Sequence, residues 1–208
     1  MLKIKYRLRF KSDFHFGSGL GIAGVIDCGL KYNSYGVPEI NGRTIKGILR
    51  DGVENVVLLK SDDLSIVEDI FGREGEDTTI FRFSTPVLEE RYEGRIAKSK
   101  YLQRSISNIE FHNCINRKTN TAEKGALFSR EVGPKVFEYI GEITQIKECP
   151  PEKKEKYLYY LVCGMRFVTH IGGNRRRGKG LVRFEEILIK DNEQTIPYKE
   201  IIEKDMKR

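Results

Sequence analysis

Ten residues near the start of the chain restrict its fold more than any other stretch. In Leu2-Lys3-Ile4-Lys5-Tyr6-Arg7-Leu8-Arg9-Phe10-Lys11 an apolar residue alternates with a cation at every step. A period of two belongs to a β-strand, whose successive side chains point to opposite faces. One face of this strand is wholly apolar and must be covered, which predicts helices packed against it. The other face is wholly basic and is expected to stand open. Phe14 and Phe16 carry the alternation on towards Gly17-Ser18-Gly19, where the strand is expected to end.

The remaining segments follow from periodicity and turn residues. Gly17, Gly19, Gly21 and Gly24 predict a flexible loop, residues 25–32 a short strand, and Asn33-Ser34-Tyr35-Gly36 a turn. Residues 44–59 carry the helical stripe Ile45, Ile48, Leu49, Val53, Val56 and Val57. Residues 60–79 are acidic and read as an inserted loop, and 81–90 as a strand. Residues 94–135 are polar and basic and read as a long excursion from the core, not as a second domain. Residues 136–146 predict a strand, and Cys149-Pro150-Pro151 ends it. Residues 152–169 predict a helix with Leu158, Leu161, Val162, Met165 and Val168 on its inner side. A Gly-rich basic loop feeds a last strand, and 191–208 is a polar tail with room for a short helix. Strand, helix, strand, strand, helix, strand is the order of an α+β, ferredoxin-like (RRM-like) split βαβ core, a class whose open sheet face binds single-stranded RNA. At 208 residues the chain suits one such domain over 1–190.

Charge narrows the partners. Lys and Arg total 37 against 30 acids, a net of +7. Residues 54–93 hold eleven acids and four bases, a net of −7, so the rest of the chain carries +14. A basic body with a separate acidic segment points to a polyanion, most often nucleic acid. No apolar run is long enough to span a membrane, and the N-terminus lacks the apolar core of a secretion signal. Cys28, Cys114, Cys149 and Cys163 are widely spaced, with no CxxC pair, which fits a reducing cytoplasm and excludes a disulfide scaffold or zinc ribbon.

Four segments are suited to chemistry. Gly172-Gly173-Asn174-Arg175-Arg176-Arg177-Gly178-Lys179-Gly180 combines four glycines, which let backbone amides approach a phosphate, with four cations that neutralise it. It does not match the Walker A pattern. Residues 40–50 lead a loop into a helix whose start carries Arg43, Thr44 and Lys46, with Arg50 one turn on. Helix N-terminal amides favour phosphate, although the same residues fit a capped surface helix. Asp27 follows the first glycine loop, where a carboxylate can hold a divalent cation, orient a hydroxyl, or simply form a turn. Arg117, Lys118 and Thr119 make a basic tip on the long excursion, suited to a phosphate or to wedging against bases. His112-x-Cys114 has no second pair at zinc spacing. His15 and His170 fit either structural roles or a general base in RNA cleavage.

Taken together these segments resemble the RAMP superfamily of CRISPR systems and, more narrowly, the repeated backbone subunit of type III interference complexes. The resemblance rests on Phe14-His15-Phe16-Gly17-Ser18-Gly19, on residues 36–47 ending Asn41-Gly42-Arg43-Thr44-Ile45-Lys46-Gly47, on Phe71-Gly72, on residues 116–127, and on the glycine loop 172–180. It implies insertions that form a thumb and a lid. It implies copies that polymerise along a CRISPR guide RNA beside other type III subunits and pair it with a complementary target RNA. Arg43, Thr44, Lys46, Arg50, Asn174, Arg175, Arg176, Arg177 and Lys179 would grip guide phosphates. Arg117, Lys118 and Thr119 would enter the guide–target duplex at regular intervals. Asp27 matches the aspartate that members use, with Mg²⁺ or another divalent cation, to cut target RNA. The resemblance leaves two alternatives: a non-catalytic or capping subunit of the same complex, and a stand-alone processing endoribonuclease that uses His15 and no metal.

Overall fold

The alternating segment forms a strand, and its apolar side chains become the centre of the core. The computed structural model describes residues 1–73, 75, 78–192 and 194–206. Strand β1 (Leu2–Phe10) buries Leu2, Ile4, Tyr6, Leu8 and Phe10 almost completely. Each such side chain contributes about 1.5–3 kcal/mol of hydrophobic stabilisation. Helix α1 (Gly42–Leu59) and helix α5 (Pro151–Phe167) cover this face, and Ile45, Leu49, Val53, Leu158, Leu161 and Met165 join the same core. The two helices cross closely, because a Cβ on Gly164 would stand 2.6 Å from Val53 Cγ2.

The sheet runs β10 (Gln194–Pro197), β9 (Val182–Asp191), β1, β8 (Glu138–Gln145), β2 (Phe81–Phe83), with β3 (Val87–Leu88) also on β8, and every neighbouring pair is antiparallel. Strands β1 and β2 are therefore parallel with β8 between them, and β8 and β9 are parallel with β1 between them. Helices α1 and α5 make the two crossovers, giving two interlocked split βαβ units in an α+β fold. Strands β4 (Asn108–His112) and β7 (Phe128–Val132) form a separate ladder, and β5 (Ile115–Asn116) and β6 (Thr121–Ala122) a hairpin beyond it. Among the described residues no helix is long and apolar enough to cross a membrane.

The basic face of β1 is not free. Lys3 and Lys5 lie 3.7 and 3.9 Å from Glu142, Arg7 2.9 Å from Glu186 and 3.1 Å from Glu138, Arg9 2.6 Å from Glu138 and 3.0 Å from Glu185, and Lys11 3.5 Å from Glu185. A bulge opposite Lys5 and Arg7, with Glu186 at φ 49°, sets Glu185 beside Glu186. Exposed pairs of this kind add at most about 1 kcal/mol each. Their effect is to cancel the charge that the open sheet face was expected to offer RNA.

Other expectations need correction. The strand ends at Phe10, and Phe14 and Phe16 instead fold back so that their rings pack against the Phe10 ring at 4.4 and 5.9 Å. Residues 25–32 make only isolated bridges, including Cys28 to Arg130 of β7 and Tyr32 to Pro38, because the main chain meets β7 at Cys28 and turns to Leu20 and Phe16 at Gly29 and Lys31. The acidic segment contains α2 (Ser65–Phe71), whose Ile66, Val67, Ile70 and Phe71 are buried and whose start is held by Asp63, which accepts from the Ser65 amide and hydroxyl. Its carboxylates face α5: Asp62 pairs with Lys156 at 3.2 Å and accepts from Tyr160, and Asp69 pairs with Lys153 at 3.3 Å and accepts from Tyr157. Glu74, Glu76 and Asp77 of that segment lie outside the described residues. Pro86 lacks an amide proton and splits 81–90 into β2 and β3. Residues 90–105 are helical, as α3 (Glu90–Ala97) and α4 (Lys100–Ser105). The C-terminal residues are not a free tail: β10 pairs with β9, and α6 (Tyr198–Met206) buries Ile201. Glu193, Lys207 and Arg208 of that stretch lie outside the described residues.

Candidate nucleic-acid interface

The glycine loop leaves α5 and returns to β9 through a single turn of 3₁₀ helix, Arg175–Arg177, bounded by Asn174 at φ 60° and Gly178 at φ 76°. Main-chain bonds pin both of its ends. Gly173 N–H donates to His15 O at 2.9 Å, Gly180 N–H to Asp13 O at 2.8 Å, and Ile171 N–H to Gly180 O at 2.8 Å. The three Arg side chains project from this fixed base into solvent. Gly180 sits at φ +73°, and a Cβ there would fall 1.9 Å from Ile171 O. Gly178 has a similar φ and open space around it. Gly180→Ala is therefore expected to cost about 3 kcal/mol or more, and Gly178→Ala only about 1–2. Thermal unfolding of both variants checks the difference. Equal losses would show that backbone strain alone, without the carbonyl clash, decides the cost.

On one side of the Arg turn lies a cavity of about 420 Å³ lined by Phe128, Arg130, Asn174, Arg175, Arg176 and Arg177. The Arg130 and Arg177 guanidiniums stand 5.7 and 5.9 Å from the centre of the Phe128 ring, whose other contact is a stacked His112 at 5.2 Å. Asn174 Nδ2 and Arg130 Nε are buried and have no hydrogen-bond partner among the described residues. A buried donor left unpaired is costly, and two of them beside a cationic cavity are donors that an anion's oxygens can satisfy. On the other side, Arg175 and Arg176 line a cavity of about 390 Å³ with Asp51, Asn55, Phe167 and His170.

The cations named from sequence separate into two groups. Arg175, Arg176, Arg177 and Arg43 are exposed, and Lys46 is half-buried. Arg50 donates to Gly72 O at 3.4 Å, at the end of α2. Lys179 pairs with Glu110 and stands 3.9 Å from Asp13. At the start of α1, Asn41 does not cap the helix. Its Oδ1 accepts from Lys31 Nζ, which also pairs with Glu39, and the Gly42 amide is satisfied by Thr85 Oγ1 at 3.2 Å. Thr44 lines a small cavity of about 170 Å³ with His15, Gly17, Lys31, Gly172 and Gly173, so the first glycine turn, the helix start and the glycine loop meet at one place. Arg117, Lys118 and Thr119 form the exposed tip of the β5–β6 hairpin, where Asn116 Oδ1 accepts from the Lys118 amide at 2.9 Å.

Asp27 is exposed, and β7 holds it in place. Its Oδ2 accepts from the Ser129 amide at 2.7 Å and lies 3.1 Å from Ser129 Oγ, while its own amide donates to Ser129 Oγ at 3.0 Å. Ser129 lies between Phe128 and Arg130, so the carboxylate is anchored one residue from the lining of the cationic cavity. Among the described residues no three His, Cys, Asp or Glu side chains cluster to hold a metal. Mg²⁺ is often held by one or two carboxylates, with water and substrate phosphates completing its shell. Asp27 fits that role as one ligand, with the others coming from RNA and water.

His15 is tied to the same strand. Its Nδ1 lies 2.7 Å from Glu131 O, the ring is 7% exposed, and burial holds its pKa below the usual histidine range. His170 is half-buried, with Nδ1 3.0 Å from Thr169 Oγ1. Sequence reasoning missed Phe128, Ser129, Arg130 and Glu131. The signal available was the alternation of β7 within a stretch read as a loop.

The family model of the RAMP superfamily matches residues 7–183. No curated protein matches the sequence. Among solved structures, a chain of the type III-B Cmr-beta complex in its apo state superposes with a TM-score of 0.68 at 13% identity, over 88% of this chain and 97% of that one. A chain of type III-B Cmr-beta bound to cognate target RNA gives 0.67 at 12% identity, over 96% and 98%. At such identities the likeness is one of fold.

Proposed function

Because the chain belongs to the RAMP superfamily, we propose that it is a guide-RNA-binding backbone subunit of a type III CRISPR ribonucleoprotein, working in the cytoplasm and cutting complementary target RNA at regular intervals. The observation that carries this reading is the cationic cavity at the Arg turn, with two buried, unpartnered donors beside four guanidiniums and an aromatic ring. A phosphate supplies acceptors to those donors, and a base stacks on the ring. Two solved structures with this fold belong to Cmr-beta complexes, one of them bound to target RNA. In this reading copies of the chain line up along the guide, the glycine loop and the start of α1 hold its phosphates, and Arg117, Lys118 and Thr119 part the guide–target duplex.

Asp27 is the residue proposed for cleavage. Ser129 fixes its carboxylate, which then faces the RNA with one oxygen uncommitted to the protein. A divalent cation bound there would supply charge neutralisation at the scissile phosphate. The carboxylate would orient the attacking 2′-hydroxyl, and the thumb-displaced base would let the backbone approach in-line geometry.

The test is the assembled complex with guide and labelled complementary RNA, in Mg²⁺ and in EDTA. Evenly spaced products that vanish in EDTA are expected. Binding without products in either lane would make this chain a scaffold or cap. Products that survive EDTA would favour the metal-independent alternative through His15.

A further inference from the structure

We propose that the small cavity at His15 is a ribose site in which His15 Nε2 accepts a hydrogen bond from a 2′-hydroxyl, so that His15 sets the preference of this chain for RNA over DNA. This rests on the RNA-binding reading above and assigns one determinant of it.

The cavity is polar, holds about 170 Å³, and lies where the first glycine turn, the start of α1 and the glycine loop converge. Some of the donors in and beside it are committed. Lys31 Nζ is taken by Glu39 and Asn41, the Gly42 amide by Thr85, and the Gly173 amide by His15 O. The Thr44 hydroxyl and Asn41 Nδ2 have no partner among the described residues, and at the edge of the His15 ring an acceptor stays open. His15 Nδ1 faces Glu131 O, a carbonyl that can only accept, so the proton is on Nδ1 and the lone pair is on Nε2. Burial keeps the ring neutral near pH 7, which preserves that lone pair. The imidazole is more than nine-tenths buried, and Nε2 has no hydrogen-bond partner among the described residues.

Two glycines keep this edge of the ring clear. A Cβ on Gly17 would stand 3.1 Å from Nε2, and one on Gly173 would stand 3.2 Å from Cδ2. Neither residue has the left-handed backbone that would itself call for glycine. Their missing side chains are therefore explained by space at the His15 edge. A phosphate has no proton for Nε2, and a second acceptor, Glu39, also borders the cavity. The group that meets Nε2 must donate, and the donor that RNA has at every nucleotide and DNA lacks is the 2′-hydroxyl.

The experiment measures affinity of the full chain for one sequence as RNA, as DNA and as 2′-fluoro RNA, which keeps an RNA-like sugar but cannot donate. The variants are His15→Asn, whose amide can still donate to Glu131 O but cannot reach the Nε2 position, and Gly17→Ala, which covers the edge and leaves His15 in place. Wild type is expected to bind RNA about tenfold more tightly than either analogue. Both variants are expected to lose about that factor for RNA and nothing for the analogues. An RNA-to-analogue ratio unchanged in both variants, or equal losses on all three strands, overturns the inference while the RNA-binding reading stands. A wild-type chain that binds no RNA overturns both.

Discussion

Asp27→Asn is expected to abolish cleavage of a complementary RNA, by about a hundredfold or more, while leaving the fold and the RNA affinity unchanged. The argument is geometric. The amide that replaces the carboxylate keeps an oxygen for the Ser129 N–H, now 2.7 Å from Oδ2, and the backbone bond from Asp27 N–H to Ser129 Oγ does not involve the side chain. Only the negative charge is lost, so a loss of activity at unchanged melting temperature assigns the chemistry to that charge. Ser129→Ala makes the complementary test. It removes the hydroxyl that meets Asp27 N–H, Asp27 Oδ2 and Val25 O but keeps the Ser129 amide on the carboxylate. Cleavage should fall about tenfold, because the charge remains and its position loosens. Gel analysis of products at fixed time, beside thermal unfolding, reads both effects. Wild-type cleavage by Asp27→Asn would return Asp27 to the role of a loop residue.

The fold was legible wherever one segment carries its own period. The two-residue alternation of β1 and the helical stripes of α1 and α5 need no information from elsewhere in the chain; all three elements form, the helices within two residues of expectation and the strand stopping short at Phe10. What the pattern could not show was the use of the second face. Glu138, Glu142 and Glu185, which cancel the β1 cations, come from strands more than a hundred residues away. Helix α2 was hidden for the opposite reason. Its acidic neighbours make the segment look solvated, although Ile66, Val67, Ile70 and Phe71 form a buried face once α5 supplies the lysines and tyrosines that take the carboxylates. Residues 25–32 have strand-like composition but meet β7 only at Cys28, and propensity without a partner along its length gives only single bridges.

The site divides in the same way. The density of glycine and arginine at 172–180 makes it read as a loop suited to phosphate, and the structure sets that loop beside the start of α1 through His15 and Thr44. Sequence alone does not distinguish one cation from its neighbour. Lys179 looks equivalent to Arg177, yet Asp13 and Glu110 hold it inside the protein. Arg50 looks equivalent to Lys46, yet it reaches the end of α2. Phe128 and Arg130 were missed because β7 owes its strand geometry to β4, and its place in the cavity to the Arg turn, neither of which is local.

That division yields the second large effect. Replacing Arg175, Arg176 and Arg177 together with alanine is expected to weaken RNA binding roughly a hundredfold at moderate salt, and to flatten the slope of log affinity against log salt by about two. The slope counts released counterions, at roughly 0.7 per phosphate contact on a single strand, so three exposed cations lost from phosphates give that change. Phe128→Leu separates stacking from charge. It removes the ring beneath the Arg130 and Arg177 guanidiniums, so affinity should fall about tenfold with the slope unaltered. Lys179→Ala is the internal control. Its ammonium is spent on Glu110 and Asp13, so the slope should hold while the melting temperature drops, since two carboxylates are left without their cation. Fluorescence anisotropy with a labelled single strand, titrated at several salt concentrations, reads all three variants. A triple-Arg variant with unchanged slope would mean that its guanidiniums do not touch phosphate, and the anion site would then have to lie at Arg43 and Lys46 on the other side of the glycine loop.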